Sequence, residues 1–341
     1  MKVLITGGAG FIAHHVIDHI LKKTDWQITT LDRLDESGNL NRLHDVLKEH
    51  PADIRKRHRT VFHDLKAALN SQIRADIGDI DIVLHLAAGS HVDRSITHPM
   101  EFVQDNVIGT VNLLNWAKEL PNLKKFVYFS TDEIFGVAPP GVSYKEYDRY
   151  NSTNPYSASK AAAEEFCVAY ENTYKMPMYI THTMNVFGQR QHPEKFIPGT
   201  IQRVRDGEKV VIHADKTKTV AGSRMYIHAS DVAEGLMFIL KLENYMHKGD
   251  FGWAKCPKFN LVGTEEIDNL KLAQMIADAV GKPLNYEMVD FHTSRPGHDL
   301  RYALSGQLLK DLGWEPRIKL SNRIKETVDW TLANDRWLRK S

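Results

Sequence analysis

The sequence has few cysteines, almost no net charge and no long hydrophobic run. Its 341 residues include two cysteines, Cys167 and Cys256, which are too few for a disulfide framework or a cysteine-based zinc site. The formal charge at pH 7 is +1, so no overall field would attract nucleic acid or an anionic membrane. No apolar stretch is long enough to span a bilayer. We therefore expect a soluble, cytoplasmic protein with no nucleic-acid, membrane or metal partner.

The beginning of the chain has the pattern of a strand, a glycine-rich turn and a helix. Gly7 and Gly10 lie in the turn, between an apolar run and residues that are apolar at helical spacing. Such glycines let backbone N–H groups approach a diphosphate at the helix N-terminus. A second strand over residues 28–31 ends at Asp32, a carboxylate placed to accept from the ribose hydroxyls of an adenosine. The pattern predicts dinucleotide binding, and Asp32 favours NAD over NADP, a preference that the adjacent Arg33 weakens.

Two further apolar runs continue the alternation of strands and helices. Residues 61–65 predict a third strand whose end, at Asp64 and Leu65, would flank the adenine. Residues 81–88 predict a fourth strand, with the continuous apolar character of a parallel strand that is covered on both faces. Because this alternation continues to about residue 185, it predicts an α/β fold with a doubly wound parallel sheet, that is, a Rossmann fold.

Glycine and proline become frequent after this point, which predicts short elements and a smaller α/β lobe. We expect a Rossmann domain over residues 1–185 with 225–250, and a substrate-binding lobe over residues 186–224 with 251–341. Arginine side chains in the smaller lobe could meet the diphosphate of a substrate. They are Arg203, Arg205 and Arg224.

Acid–base groups gather in the stretch from residue 130 to residue 160. The apolar run 126–129 predicts a buried strand, and Thr131, Asp132 and Glu133 follow where it ends. A hydroxyl and two carboxyls would therefore lie at the carboxyl edge of the sheet, which is where α/β sheets hold their ligands.

The same stretch places a tyrosine and a lysine on one helix. Asn154 followed by Pro155 predicts a helix start, and Tyr156 and Lys160, four residues apart, share a face of that helix. A tyrosine has a pKa of roughly 10 and is a poor base, but a nearby lysine and a cationic nicotinamide favour the phenolate. Taken alone, the pair could be an ordinary helix-start aromatic and a solvated charge; the nucleotide-binding pattern upstream favours catalysis.

Six short motifs are spread over nearly the whole chain. They are Thr-Gly-Gly-Ala-Gly-Phe-Ile at 6–12, Ala-x-Ser-His-Val-Asp-Arg-Ser at 88–95, Ser-Thr-Asp-Glu-Ile-Phe-Gly at 130–136, Pro-Tyr-Ser-Ala-Ser-Lys-Ala at 155–161, Pro-Glu-Lys-Phe-Ile-Pro at 193–198 and Arg-Pro-Gly-His-Asp at 295–299. Together they resemble the extended short-chain dehydrogenase/reductase superfamily and, within it, the dTDP-glucose 4,6-dehydratases. The Thr-Asp-Glu triplet is the most specific motif, because related 4-epimerases usually lack the carboxylate pair.

The resemblance implies a lyase with tightly bound NAD that converts a nucleotide-diphosphate glucose to the 4-keto-6-deoxy sugar, a reaction of deoxysugar biosynthesis. Tyr156, assisted by Lys160 and Thr131, would take the C4 hydroxyl proton while hydride passes to NAD. Glu133 would remove the C5 proton and Asp132 would protonate the departing C6 hydroxyl, after which hydride returns to C6. The favoured substrate is dTDP-glucose, with UDP-glucose next.

The resemblance and the motifs also imply two sets of binding residues. The residues expected to hold NAD, besides Tyr156 and Lys160, are Gly7, Gly10, Phe11, Ile12, Asp32, Asp64, Leu65 and Ala87. Those expected to hold the nucleotide sugar are Ser90, Asn185, Lys195, Phe196, His213, Arg224, Arg295 and His298.

Four positions depart from the pattern of these dehydratases. Ala13 stands where a third glycine is usual, and Gly89 replaces the usual glutamate. His213 falls where a tyrosine commonly lies against the nucleobase, and Met225 where aspartate is expected. Since the catalytic residues are intact, these departures affect the predicted nucleotide more than the predicted reaction.

Two predicted helices, near residues 100–120 and 156–174, carry apolar residues on more than one face. One face would pack on the sheet and the other on a second subunit, which predicts a homodimer through four helices; a well-buried helix is the alternative.

Two other functions stay open at this point. One is a nucleotide-sugar 4-epimerase or decarboxylase on the same scaffold. The other is a non-catalytic NAD-binding regulator, although such proteins tend to lose Tyr156 or Lys160, and both residues are present here.

Overall fold

Strands and helices alternate from the start of the chain. The computed structural model describes residues 1–243, 245–248, 254–291 and 300–339. The strands are β1 (Lys2–Thr6), β2 (Gln27–Asp32), β3 (His58–Phe62), β4 (Ile82–His85), β5 (Lys125–Thr131), β6 (Met178–Thr183), β7 (Asn185–Phe187), β8 (Val210–Ala214), β9 (Ser223–His228), β10 (His247–Lys248), β11 (Ala254–Lys255), β12 (Lys258–Leu261), β13 (Glu266–Asp268) and β14 (Tyr286–Asp290).

The helices lie between these strands and after the last of them. The α-helices are α1 (Phe11–Lys23), α2 (Leu40–Lys48), α3 (Ala52–Arg55), α4 (Ser71–Ile77), α5 (Val92–Thr97), α6 (Pro99–Phe102), α7 (Gly109–Ala117), α8 (Pro155–Tyr174), α9 (Phe196–Asp206), α10 (Ala229–Lys241), α11 (Asn269–Val280), α12 (Gln307–Asp311) and α13 (Leu320–Ala333). A π-helical turn spans Val103–Ile108, and 3₁₀ turns span Asp132–Phe135 and Asp335–Leu338. Among the residues that the structure describes, none of these helices is long and apolar enough to cross a membrane.

The main sheet has seven strands in the spatial order β3-β2-β1-β4-β5-β6-β12. Strand β1 pairs in parallel with β2 on one side and with β4 on the other, and β2–β3 and β4–β5 are parallel as well. The direction of the strand order reverses between β1 and β4, and in such sheets the ligand crevice opens at the carboxyl ends of these strands. This confirms the predicted doubly wound α/β sheet.

The chain divides into two units. The first comprises Met1–Ile134, Ser152–His182 and Ala233–Phe259, and the second comprises Phe135–Asn151, Thr183–Val232 and Asn260–Ser341. The sequence-based division differs from this one, since it assigned the segments 135–151, 183–185 and 225–232 to the Rossmann domain and the segment 251–259 to the smaller lobe. That division into two domains remains a prediction.

The second unit has its own small sheets and its own core. Strand β9 pairs in parallel with β7 and antiparallel with β13, and β8 pairs in parallel with β14. Apolar side chains from the helices α9, α11 and α13 cover these strands, among them Ile201, Leu272 and Ile324, which are fully buried.

The predicted helix near residues 100–120 is interrupted. The structure has α6, the π-helical turn and α7 in succession, so one extra residue is accommodated within the turn. The side chain of Asn106, in the middle of the turn, is buried and makes hydrogen bonds outside the helix. The hydrogen-bond partners of Asn106 lie far from it in the sequence, so apolar periodicity could not reveal the π-helical turn.

Helix α8 begins where the sequence predicts it. The Asn154 side chain accepts a hydrogen bond from the Ser157 backbone N–H at 2.8 Å, and Ser157 Oγ accepts one from the Asn154 N–H at 3.3 Å. Pro155 occupies the first helical position, where its missing N–H removes no helical hydrogen bond. This reciprocal cap fixes the residue at which α8 begins, and therefore the positions of Tyr156 and Lys160.

Three charged or titratable side chains are buried together behind α8. Glu164 of α8 accepts hydrogen bonds from His182 of β6 at 3.1 Å and pairs with Lys258 of β12 at 2.8 Å. All three side chains are less than a tenth exposed. Burial would raise the pKa of Glu164, but His182 and Lys258 outweigh it and hold that pKa well below its usual value.

We expect the substitution Glu164→Gln to destabilise the protein by about 3 kcal/mol at pH 7, because it leaves a buried lysine without its counter-ion. Since the folded pKa is depressed, the contribution of Glu164 is fully present above its unfolded value, about pH 4.3, and declines as the pH falls below it. Urea unfolding of wild type and variant between pH 7 and pH 3 would measure this difference. The exposed neighbour provides a control, since Glu165→Gln should leave the unfolding midpoint nearly unchanged. Equal midpoints for Glu164→Gln and wild type at pH 7 would contradict the prediction.

Candidate active site

The glycine turn after β1 leaves space at the N-terminus of α1. Gly7 has a φ of +69°, and a Cβ built on it would lie 2.9 Å from Ala87 Cα. The Gly10 N–H donates to Gly7 O at 2.8 Å, which closes the turn before α1 begins at Phe11. No described side chain caps this helix N-terminus, and its first turn contains no acidic residue. The turn therefore fits the diphosphate of a dinucleotide.

A second close approach, between this turn and β2, occurs at Gly8, for which the sequence analysis predicted no role. A Cβ at Gly8 would lie 2.3 Å from Thr30 Cβ of β2. Ala13, which stands in place of a third glycine, is accommodated with its side chain fully buried. The glycine-rich pattern was the available signal for a close approach of the turn to the sheet. Which glycine lies against β2 depends on the position of that strand.

Asp32 lies at the end of β2, beside the glycine turn. Its carboxylate is buried and accepts the Ala9 N–H at 2.9 Å and the Leu34 N–H at 2.8 Å. Asp64 follows β3, the next strand of the sheet, and accepts the Lys66 N–H at 3.0 Å. The two carboxylates therefore lie at the edge where an adenosine is expected.

The other residues predicted to hold NAD lie around the same sheet edge. Leu65 is buried in the core cluster of the first unit, and the Ala87 N–H, after β4, donates to Thr6 Oγ1 at 3.1 Å. Phe11 and Ile12 open α1. Together with the glycine turn and Asp32, these residues fit NAD, which would supply a hydride acceptor at the site.

Thr131, Asp132 and Glu133 follow β5 at the same edge. Thr131 Oγ1 donates to Asp132 Oδ1 at 3.1 Å, and the Glu133 N–H donates to Thr131 Oγ1 at 3.4 Å. Asn154 Nδ2 donates to Glu133 Oε2 at 3.1 Å, so the residue that caps α8 also orients one of the carboxylates. The 3₁₀ turn that begins at Asp132 holds the two carboxyls close to the end of the strand.

Tyr156 and Lys160 lie in the first unit with these carboxyls, and both are buried. Lys160 Nζ donates to Phe129 O at 2.7 Å and lies 4.2 Å from the centre of the Tyr128 ring. The Tyr156 ring packs edge-on against Phe102 at 6.3 Å. These contacts hold the side chains of Tyr156 and Lys160 in one orientation.

Burial shifts the protonation of both groups. It raises the pKa of Tyr156 above its usual value; Glu133 raises it further, and a hydrogen bond with Thr131 lowers it in part. Burial lowers the pKa of Lys160 to about 8. The protein groups alone therefore favour the phenol, and a cationic nicotinamide beside it would favour the phenolate.

Three polar residues that the sequence analysis missed position this machinery. Asn106 accepts the Gly89 N–H at 2.8 Å and donates to Gly89 O at 3.1 Å and to Ser159 Oγ at 2.8 Å. Ser95 Oγ accepts the Tyr156 N–H at 3.1 Å. A buried asparagine in an otherwise apolar helical run was the available signal for Asn106, because such groups need hydrogen-bond partners.

A buried histidine connects the glycine turn with the helix that follows the π-turn. His85 Nδ1 lies 2.7 Å from Thr6 Oγ1, and His85 Nε2 lies 2.9 Å from Thr110 Oγ1. Burial lowers the pKa of His85 to about 3, so the ring is neutral at pH 7. It bridges β1 and α7 without adding charge to the site.

The residues predicted to bind substrate are spread over both units. Ser90 is exposed in the loop after β4, in the first unit. In the second unit, Asn185 begins β7, Lys195 precedes α9 and Phe196 is its first residue. Arg295 and His298 lie outside the described residues.

Two aromatic contacts orient the basic side chains of the second unit. The His213 ring of β8 lies 6.2 Å from the Phe291 ring, nearly perpendicular to it. The Arg224 guanidinium donates to Leu300 O at 2.7 Å and lies 4.6 Å from the centre of the Tyr302 ring. Arg205, which was also considered as a partner of the substrate diphosphate, pairs with Asp206 at 2.7 Å.

Comparisons with known proteins agree with this geometry. The family model described as GDP-mannose 4,6 dehydratase matches residues 4–327. The low-salt glycan biosynthesis protein Agl12 of Haloferax volcanii is 36% identical, over 98% of this chain and 100% of the relative. The dTDP-D-glucose 4,6-dehydratase of Mus musculus is 35% identical, over 98% of this chain and 89% of the relative.

A solved structure extends the similarity to the fold. The crystal structure of DesIV, a dTDP-glucose 4,6-dehydratase from Streptomyces venezuelae with NAD bound, superposes with a TM-score of 0.83 at 31% identity. The match covers 99% of this chain and 98% of that one.

The substitution Gly7→Ala should reduce the NAD bound per chain at least about tenfold, because the methyl group would force the turn away from β4 and occupy space beside the diphosphate. Chromatography of the dinucleotide released from purified protein measures the occupancy, and a thermal melt establishes that the variant is folded. Gly141→Ala is the matched control, since Gly141 has a φ of +77° but no atom within 4 Å of a Cβ. Full NAD occupancy in Gly7→Ala would show that the crowding at Ala87 does not matter for binding.

Proposed function

This chain belongs to the GDP-mannose 4,6-dehydratase family and is an NAD-dependent nucleotide-sugar 4,6-dehydratase, and from that premise we propose that it dehydrates dTDP-glucose, with UDP-glucose as the second choice. The observation that favours dehydration over simple oxidation is that one unit contains both the adjacent carboxyl pair, Asp132 and Glu133, and the buried Tyr156 and Lys160. Simple oxidation at C4 needs only the tyrosine and the lysine. Elimination of water needs an acid and a base as well.

We propose the following roles for the side chains of this chain. When bound, NAD would supply the hydride acceptor for C4 and the hydride donor for C6. Tyr156 accepts the proton of the C4 hydroxyl, and Lys160 stabilises the phenolate that does so. The C4 ketone acidifies the C5 proton, which Glu133 removes and then returns to C5 when C6 accepts hydride.

Asp132 donates a proton to the departing C6 hydroxyl. Two neighbouring carboxyls resist ionising together, so one can act as the acid while the other is the base. Asn154 orients Glu133 and Thr131 orients Asp132, each through one donated hydrogen bond.

The choice of nucleobase rests on the relatives named above and on the basic and aromatic groups of the second unit. Arg224, held against Tyr302, is proposed to meet the substrate diphosphate, and His213, packed on Phe291, to lie beside the base. Lys195 and Phe196 are proposed to lie near the base as well, and Ser90 and Asn185 to touch the sugar. The cytoplasmic location expected from the sequence remains a prediction.

We also propose that the chain acts as a homodimer through α8 and the segment from α6 to α7. These helices pack against one another in the first unit and expose large apolar side chains. The exposed residues include Met100, Ile108, Phe166 and Tyr174. Apolar side chains of this size that are exposed along adjacent helices are typical of a subunit interface.

If the chain is this dehydratase, purified protein incubated with dTDP-glucose should yield a product that is lighter by one water. Mass spectrometry detects this product. A parallel incubation with UDP-glucose shows which of the two nucleobases is preferred. Asp132→Asn should lower product formation by about 10²–10⁴-fold, because the leaving hydroxyl loses its acid. C4 oxidation should persist in this variant as reduced nicotinamide absorbance.

Asp79→Asn is the control, since Asp79 is an exposed carboxylate whose described partner is Lys2, and it should match wild type. An unchanged dehydration rate in Asp132→Asn would refute the role of Asp132. A product of unchanged mass whose configuration at C4 is inverted would show that the chain catalyses epimerisation and not dehydration.

The proposed dimer predicts that Phe166→Glu shifts the protein from twice the chain mass toward the single-chain mass in sedimentation equilibrium, because a carboxylate would be buried in an apolar seam. Val211→Glu alters a similarly exposed apolar side chain in the second unit and should leave the mass unchanged. Wild-type protein that sediments as a single chain at micromolar concentration would contradict the dimer.

A further inference from the structure

An arginine immediately follows the carboxylate that is expected to hold the adenosine ribose. Asp32 ends β2, and Arg33 is the next residue. In dinucleotide-binding folds, an arginine near this position can hold the 2′-phosphate that distinguishes NADP from NAD. If the Arg33 guanidinium had no carboxylate partner, it could bind this phosphate and so weaken the preference for NAD over NADP that Asp32 provides.

The guanidinium of Arg33 is bound by carboxylates instead. It makes a two-pronged ion pair with Asp105, with Nη1–Oδ1 and Nη2–Oδ2 distances of 2.5 and 2.7 Å. Its Nε and Nη2 also donate to Asp35 Oδ2 at 3.0 and 2.7 Å, and Nη1 lies 3.6 Å from Asp64 Oδ1. The hydrogen bonds to Asp105 and Asp35 raise the pKa of Arg33.

Asp105 is the partner best placed to fix the arginine. Its side chain is 13% exposed, compared with 38% for Asp35 and Asp64. It lies on the π-helical turn, directly before Asn106, whose side chain is anchored to Gly89 and Ser159. A two-pronged arginine–carboxylate pair with one partner held in this way is stronger than an exposed pair.

Space for the Asp105 carboxylate comes from Gly89, one of the positions that depart from the dehydratase pattern. A Cβ built on Gly89 would lie 3.3 Å from Asp105 Oδ2 and 3.2 Å from Phe102 Cε1. The glutamate usual at this position would therefore place a second acidic side chain against Asp105. The glycine at 89 and the aspartate at 105 are compatible with each other in this chain.

The local charge also opposes an additional anion. Four carboxylates, those of Asp32, Asp35, Asp64 and Asp105, lie at or next to Arg33. Besides Arg33, the positive charges near these carboxylates are Lys66, whose Nζ lies 3.4 Å from Asp64 and 3.9 Å from Asp105, and the buried Arg42, which interacts electrostatically with Asp32. Four negative and three positive charges leave a net −1, which does not favour an additional phosphate monoester.

We propose that Asp105 is a specificity-determining residue that holds Arg33 away from a 2′-phosphate and so completes the selection of NAD that Asp32 begins. This inference rests on NAD binding and not on the identity of the sugar nucleotide, so it stands or falls independently of the proposed substrate. Asp32 opposes a 2′-phosphate directly, whereas Asp105 acts through the guanidinium that would otherwise attract one.

The test is a competition for binding rather than an activity assay. Wild type and Asp105→Asn are stripped of dinucleotide, equilibrated with equimolar NAD and NADP, and desalted, and the bound dinucleotides are quantified by mass spectrometry. We expect the NADP-to-NAD ratio to rise by about tenfold in Asp105→Asn, because the freed guanidinium gains a phosphate partner. Adding Arg33→Met to this variant should abolish the gain, since it removes the group that attracts the phosphate.

Glu119→Gln is the matched control, because Glu119 forms an ion pair with Arg74 at 2.6 Å in the same unit and the substitution should leave the ratio unchanged. An unchanged ratio in folded Asp105→Asn would overturn the proposal. So would a gain that survives Arg33→Met, since the arginine would then not be its cause. Loss of both dinucleotides in Asp105→Asn would also overturn it, by making Asp105 a general structural requirement for binding.

Discussion

One buried amide holds together the two elements on which the active site depends. Asn106 pairs with both backbone groups of Gly89 and with Ser159 Oγ, so the loop after β4 and helix α8 keep a fixed spacing. Removing this amide would leave buried polar groups without partners, at a cost of about 1–3 kcal/mol for each group. The π-helical turn is the local distortion that presents this amide, as expected for a feature that recurs at functional sites.

Around this framework, burial determines the charge of the site more than ion pairing does. It raises the pKa of Tyr156 and lowers those of Lys160 and His85, to about 8 and about 3. The neutral His85 can therefore bridge Thr6 and Thr110 without adding charge beside the glycine turn. Two of the ion-paired clusters lie behind α8, at Glu164, and after β2, at Arg33. At both places they hold elements in position.

Two of the four departures from the dehydratase pattern, Ala13 and Gly89, are explained by their neighbours in the fold. Ala13 is tolerated because the tightest approach to β2 occurs at Gly8, where a side chain would overlap Thr30. Gly89 leaves space for Asp105, a residue to which the sequence alone assigns no role. A departure at one position is thus linked to a residue that lies far from it in the sequence and close to it in space.

The sequence by itself determined the doubly wound sheet, the position of the glycine turn, the start of α8 and the grouping of Thr131, Asp132 and Glu133 after one strand. These features depend on local patterns: apolar periodicity, the Asn-Pro cap and the order of strands and turns. Only the tertiary structure decided the π-helical turn around Asn106, the close approach of Gly8 to β2 and the partners of Arg33. Each of these features depends on contacts between side chains of separate strands and helices. Local sequence patterns do not specify the distances between residues that are far apart in the chain.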